Sequence, residues 1–175
     1  MTFGQLHERE DLWQLEFSRK LAHPPEKVWQ ALTQPDGLAA WFPTTIEGGW
    51  EPGAALRFSF RNDEAPAFDG VLLTYDPPRV LEFMWGPDRL RFELWPADDG
   101  TVLSLVDSLE ALGKAARDAA GWHQCLEALE QDLAGAPLPR PFATTRWKEL
   151  HPVYVDTFGP SASTIGPPEG WDGEA

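Results

Sequence analysis

One long amphipathic segment constrains this chain more than any other: Ala115–Leu133, AARDAAGWHQCLEALEQDL, which follows a long run of strand-like sequence. Ala119, Trp122, Leu126, Leu129 and Leu133 recur three and four residues apart, the spacing that lines one face of a helix. Gln124, Glu127, Glu130 and Gln131 fall largely outside that stripe. A sheet of about six strands needs something to bury its inner face, and one helix of this length is the partner on offer. The spacing therefore predicts an α+β domain in which a curved antiparallel sheet wraps around a long C-terminal helix.

The elements ahead of that helix read in order. Leu12 to Leu21 alternates as a strand, with Leu15, Phe17 and Arg19 on one face, and His23-Pro24-Pro25 stops it. Pro25 suits the first turn of a helix through Thr33 that turns Val28, Trp29 and Leu32 inward, and Pro35 ends it. Asp36 is placed to cap a second short helix, Gly37 to Phe42. From Thr44 the period changes to two. Strands over 44–50, 55–61, 68–75, 79–85, about 90–95 and 101–108 are separated by short turns rich in Gly, Pro, Asp and Asn, which predicts a meander. The domain is expected to span residues 1–135, followed by a Pro-rich extension over 136–175, partly docked and partly disordered. Trp147, Leu150, Val153 and Tyr154 are its docking residues, and 159–175 has the composition of a disordered tail.

Charge excludes some functions. Twenty-eight acidic residues against 14 basic ones leave a net charge of −14, the wrong sign for nucleic acid or an anionic membrane surface. No apolar window reaches the roughly 18 residues of a membrane span, and the charged N-terminus does not read as a signal peptide, so a cytoplasmic location is expected. Cys125, the lone cysteine, excludes an intramolecular disulfide.

Several motifs together resemble a known family. The opening FSRKLAHPPEKVWQALTQPDGLAAWF holds Pro25, Glu26, Val28 and Trp29, then the Trp41-Phe42 pair; the late segment holds Gly121, Trp122, Leu126 and Leu129. This pattern, running from Leu12 to Leu133, resembles the SRPBCC superfamily, and within it the branch of activator-of-Hsp90-ATPase homologue-like proteins. Trp147, Leu150 and Tyr154 are similar to an arrangement in some relatives. The resemblance implies a helix-grip fold around an apolar cavity, with two short helices after the first strand. It implies no single function, because the superfamily includes lipid carriers, cyclases and chaperone co-factors.

The candidate chemistry is sparse. The histidines 7, 23, 123 and 151 include no pair at helical ligand spacing, and His123 with Cys125 is an i,i+2 pair, so neither a metal site nor a cofactor is expected. Cys125 reads as a packed thiol, and His123 as a surface or helix-satisfied residue. Glu82, Asp69 and Asp107 read as surface charges on strands, Glu82 opposite an arginine; on a cavity-facing strand face such a charge would instead mark ligand recognition. Nine Trp and ten Phe against two Tyr are an unusual aromatic balance. Trp41, Phe42, Phe58, Phe60, Phe83, Trp85, Phe92 and Trp122, with Leu126, occupy inward-predicted faces; they fill a core or line a pocket for a flat hydrophobic ligand. Binding of a small hydrophobic or aromatic molecule ranks first, a protein-interaction or chaperone-cofactor module second, and a cyclase- or hydrolase-type enzyme third. A monomer or homodimer is expected.

Overall fold

The computed structural model describes residues 2–61 and 65–167. Eight strands form one antiparallel sheet: β1 (Gln5–Arg9), β2 (Leu12–Leu21), β3 (Thr44–Gly48), β4 (Ala55–Phe60), β5 (Phe68–Asp76), β6 (Val80–Trp85), β7 (Asp88–Ala97) and β8 (Gly100–Leu109). Their spatial order is β1-β2-β8-β7-β6-β5-β4-β3. Only β2 to β8 requires a long connection back across the fold; the other neighbours are hairpins. Helices α1 (Pro25–Thr33) and α2 (Pro35–Ala39) fill the excursion between β2 and β3. A 3-10 turn, Leu112–Lys114, leads into α3 (Ala115–Leu133), which lies along the concave face; α4 (Thr144–Phe158) packs beside it. This is the helix-grip α+β fold. Among the described residues, no helix is long and apolar enough to cross a membrane.

Three local readings change. The first strand is preceded by β1, with which it forms a hairpin through Glu10 and Asp11, both at positive φ (52° and 65°). The polar sequence QLHER hides this edge strand, since most of its residues face water and no apolar alternation marks it. The second short helix begins at Pro35 with Gln34 as its cap, and Asp36 lies inside its first turn. Proline at the first helical position loses no hydrogen bond, so Pro35 both ends α1 and starts α2. Trp41 and Phe42 then fall beyond the helix, where the chain drops them into the core. Finally, chain within 159–167 is ordered around a 3-10 turn at Pro160–Ala162; Ala162 is buried and Ile165 N–H bonds the Gly113 carbonyl. The remainder of the predicted tail, 168–175, lies outside the described residues.

The core follows from the alternation of the strands. Leu15 and Phe17 of β2, Leu81 and Phe83 of β6, Leu90, Phe92 and Leu94 of β7, and Leu103 and Leu105 of β8 are all buried in one core that also takes in the inner faces of α1 and α3. Alanines 115, 116, 119, 120 and 128 let α3 approach the sheet closely, and Leu126 and Leu129 fill the space between. Arg19 shares the inward face of β2 but reaches Glu130 on α3 at 3.4 Å. Glu82 sits on the outer face against Arg91 (3.4 Å), and Asp69 is exposed beside Arg57 (2.8 Å), both ordinary cross-strand pairs.

Candidate functional site

Between the sheet and α3 lies a cavity of about 480 Å3. Its aromatic wall is built by the ends of three adjacent strands: Phe60 closes β4, Phe68 opens β5 and Trp85 closes β6. Trp122, about two turns into α3, faces them; Trp85 and Trp122 lie 5.7 Å apart at 61°, an edge-on pair. Phe142 and Trp147, from the α3–α4 connection and α4, complete the rim. Trp147 is fixed by its indole N–H, which donates to the Arg117 carbonyl at 3.2 Å. Gln124 ties the same connection down by donating to the Ala143 carbonyl at 2.6 Å.

The sequence-predicted binding residues divide in two. Phe60, Trp85 and Trp122 stand on the cavity wall. Trp41, Phe42, Phe58, Phe83, Phe92 and Leu126 are each at most 1% exposed and pack behind that wall. Phe42 illustrates their role: it touches Phe83, Trp85 and Trp122 with ring centroids 5.2 to 6.3 Å apart, bracing the two wall tryptophans. Trp41 donates its indole N–H to the Ala31 carbonyl at 2.8 Å, which locks the α1–α2 corner. Phe68, Phe142 and Trp147 complete the wall, and strand alternation alone does not single them out.

One end of the cavity is charged. Asp88, first residue of β7, is 3% exposed; its Oδ1 accepts the Glu110 backbone N–H at 2.9 Å and lies 2.7 Å from Lys114 Nζ. Asp118, in the first turn of α3, accepts from Arg117 Nε at 2.7 Å. Asp107 of β8 lies just behind them and is fully buried, which corrects the surface reading. Asp107 shares the parity of Leu103 and Leu105, so the alternation of β8 carries it inward with them although it is charged. Trp122 Nε1–H donates to Asp107 Oδ2 at 3.0 Å, whereas Oδ1 has no hydrogen-bond partner among the described residues. Oxygens of Asp88, Asp107 and Asp118 all lie within 4.8 Å of one another. Burial, reinforced by the neighbouring carboxylates, pushes Asp107 well above the usual carboxylate range; burial also raises Asp118, against the pull of Arg117. Residues 88, 107 and 118 share no sequence spacing that announces this meeting.

Cys125 lies on the cavity wall, where burial pushes its thiol up to about 12, too high for a thiolate nucleophile at neutral pH. Of the two readings of His123, surface or helix-satisfied, the surface one is corrected: the ring is fully buried. It faces away from the cavity, towards α4 and the N-terminal arm. The Gly4 N–H donates to Tyr154 Oη (2.8 Å), and the same hydroxyl is hydrogen-bonded to His123 Nδ1 (2.7 Å). Nε2 lies 3.3 Å from Glu127 Oε1, one turn on along α3, but makes no hydrogen bond among the described residues. Arg146 grips Glu127 with two bonds, at 2.6 and 2.9 Å. Burial lowers the His123 imidazole to about 4, with Arg19 and Arg146 adding to the effect and Glu127 opposing it.

With this geometry in view, residues 22–134 match the family described as activator of Hsp90 ATPase homolog 1-like protein. The chain belongs to that family. The matched segment of this Hsp90-ATPase-activator-homologue-like protein holds most of the cavity wall and all three aspartates, but Phe142 and Trp147 fall beyond it. Solved structures reach further along the chain. A conserved protein of unknown function from Enterococcus faecalis, EF2215, superposes with a TM-score of 0.73 at 19% identity, covering 88% of this chain and 89% of its own. CalU16 from Micromonospora echinospora gives 0.68 at 19% identity, covering 89% and 95%. A protein encoded by BPP1335 of Bordetella parapertussis is 29% identical, with a TM-score of 0.65 and coverage of 88% and 91%. No curated protein matches the chain. At such identities EF2215 and CalU16 show a shared fold.

Proposed function

We propose that this protein binds a small, flat hydrophobic or aromatic molecule in the cavity between the sheet and α3. The observation that supports this reading is the cavity itself: about 480 Å3, within the range of small-molecule sites, with four facing aromatic rings and a few polar and charged side chains among the lining. A core that merely filled itself would leave no such volume beside so many large side chains. Native mass spectrometry of the purified protein, with extraction of any bound compound, tests the reading. A co-purifying apolar molecule, or thermal stabilisation by aromatic compounds, is the expected result. An empty protein that no member of an aromatic and lipid library stabilises would overturn it.

One observation favours a second reading, chemistry on the bound molecule. Asp107 and Asp118 are two carboxyl groups of raised proton affinity beside one cavity, the arrangement general acid–base catalysis requires. Turnover of a bound compound that Asp118→Asn slows at unchanged affinity would establish it; an identified ligand that the protein returns unaltered would remove it.

A further inference from the structure

We propose that the charged end of the cavity selects ligands carrying an aliphatic ammonium group, held by Asp88 and Asp118 with Asp107 immediately behind. The proposal rests on the binding reading above and names the chemical class that the site takes.

The argument begins with charge balance. Three carboxylates meet there, and two basic groups contact them: Lys114 Nζ on Asp88 (2.7 Å) and Arg117 Nε on Asp118 (2.7 Å). Lys114 also reaches the exposed Glu110 at 3.6 Å, and the other cation on the cavity lining, Arg61, is held by the Phe42 and Thr44 carbonyls and not by an aspartate. Among the three aspartates one negative charge is therefore left over, and it falls on Asp107, whose Oδ1 lacks a hydrogen-bond partner among the described residues. On the adjoining strands the residues in register with Asp107 are Leu15 and Leu90, which offer no compensation. A buried carboxylate without a counter-charge takes up a proton or a cation. In the unliganded protein a proton suffices.

Geometry then identifies which cation fits. An ammonium nitrogen donating three hydrogen bonds of about 2.8 Å in tetrahedral directions needs acceptors about 4.6 Å apart. The three aspartate oxygens lie within 4.8 Å of one another. A divalent metal would bring two charges where one is missing, next to the Lys114 ammonium. A bare monovalent ion would balance the charge yet leave the aromatic wall unused. An organic ammonium does both, because Trp85 and Trp122 flank the cavity that opens from this end and attract a cation's positive edge as well as its apolar body. On binding, the N–H bonds replace the proton on Asp107, which passes to solvent, so that charge is conserved.

Isothermal titration of the full chain with 2-phenylethylamine, 2-phenylethanol and phenylacetate tests the proposal, since the three share a ring and differ in the charge of the tail. The amine is expected to bind about ten-fold more tightly than the alcohol, and phenylacetate more weakly than either. Titrations of the amine in two buffers of different ionisation enthalpy are expected to show release of close to one proton. In Asp107→Asn the preference of amine over alcohol is expected to fall to near unity, and Asp118→Asn provides the same comparison at a half-buried position should the first variant fold poorly. Equal or tighter binding of the alcohol in the wild type would overturn the amine proposal and leave cavity binding standing. Stabilisation by calcium chloride equal to that by the amine would overturn it in favour of a metal. If none of the three probes binds and the aromatic library also fails, both readings fall together.

Discussion

Asp107 and His123 are buried titratable side chains with opposite consequences for stability. Asp107 holds its proton in the folded protein more tightly than an unfolded chain does, so its contribution is greatest below the ordinary value of 3.8 and is lost as pH rises through the folded value. Asp107→Asn keeps the shape and removes the ionisation. The variant is expected to gain stability relative to wild type as pH is raised from about 4 to 8, read from urea midpoints across that range. His123 runs the other way. Its folded value of about 4 lies below the unfolded 6.5, so its contribution is complete above 6.5 and disappears as pH falls towards 4. His123→Gln is expected to flatten the loss of stability between pH 7 and pH 4.5; an unchanged slope would show that the Tyr154–His123–Glu127 network does not hold the ring neutral.

Among the elements, α3 joins the core to the site. Trp122 packs against Phe42 and Trp85 while its indole N–H serves Asp107, so one side chain supports both wall and charge. Trp122→Ala is expected to cost ~3–5 kcal/mol by denaturant unfolding, and Trp122→Phe about 1–3 kcal/mol because it strands an Asp107 oxygen. Gly70 on β5 is required for a different reason: a Cβ there would run into the Met84 carbonyl oxygen and approach Phe58 Cε2 to 2.6 Å. Gly70→Ala is therefore expected to destabilise by ~1–3 kcal/mol, through steric conflict rather than any left-handed backbone. Helix α4 is bound to α3 by the Arg146–Glu127 pair, the Tyr154–His123 bond and the Trp147 indole, and it supplies part of the cavity rim. Chain cut after Gly135 is expected to show a lower melting temperature and weaker binding of aromatic probes together.

At the scale of the whole molecule, the order of elements was readable because it depends on local periodicity: the 3.6-residue stripe of Ala115–Leu133 and the alternation of β4, β6 and β7 state which faces turn inward. The inward aromatic set was readable for the same reason. Which inward rings touch empty space was not, because Phe83 and Trp85 share one strand face and differ only in distance from its end, where the sheet and α3 diverge. Hidden too was edge strand β1, whose backbone pairs while most of its side chains face water.

The amino-acid sequence by itself determined the helix, the meander and the apolar faces that must meet, since propensity and burial act on neighbours along the chain. The meeting of Asp88, Asp107 and Asp118 was decided only by the tertiary structure. The start of β7, the end of β8 and the first turn of α3 converge at one end of the grip, and the field between charges depends on their separation in space, whatever their separation in sequence.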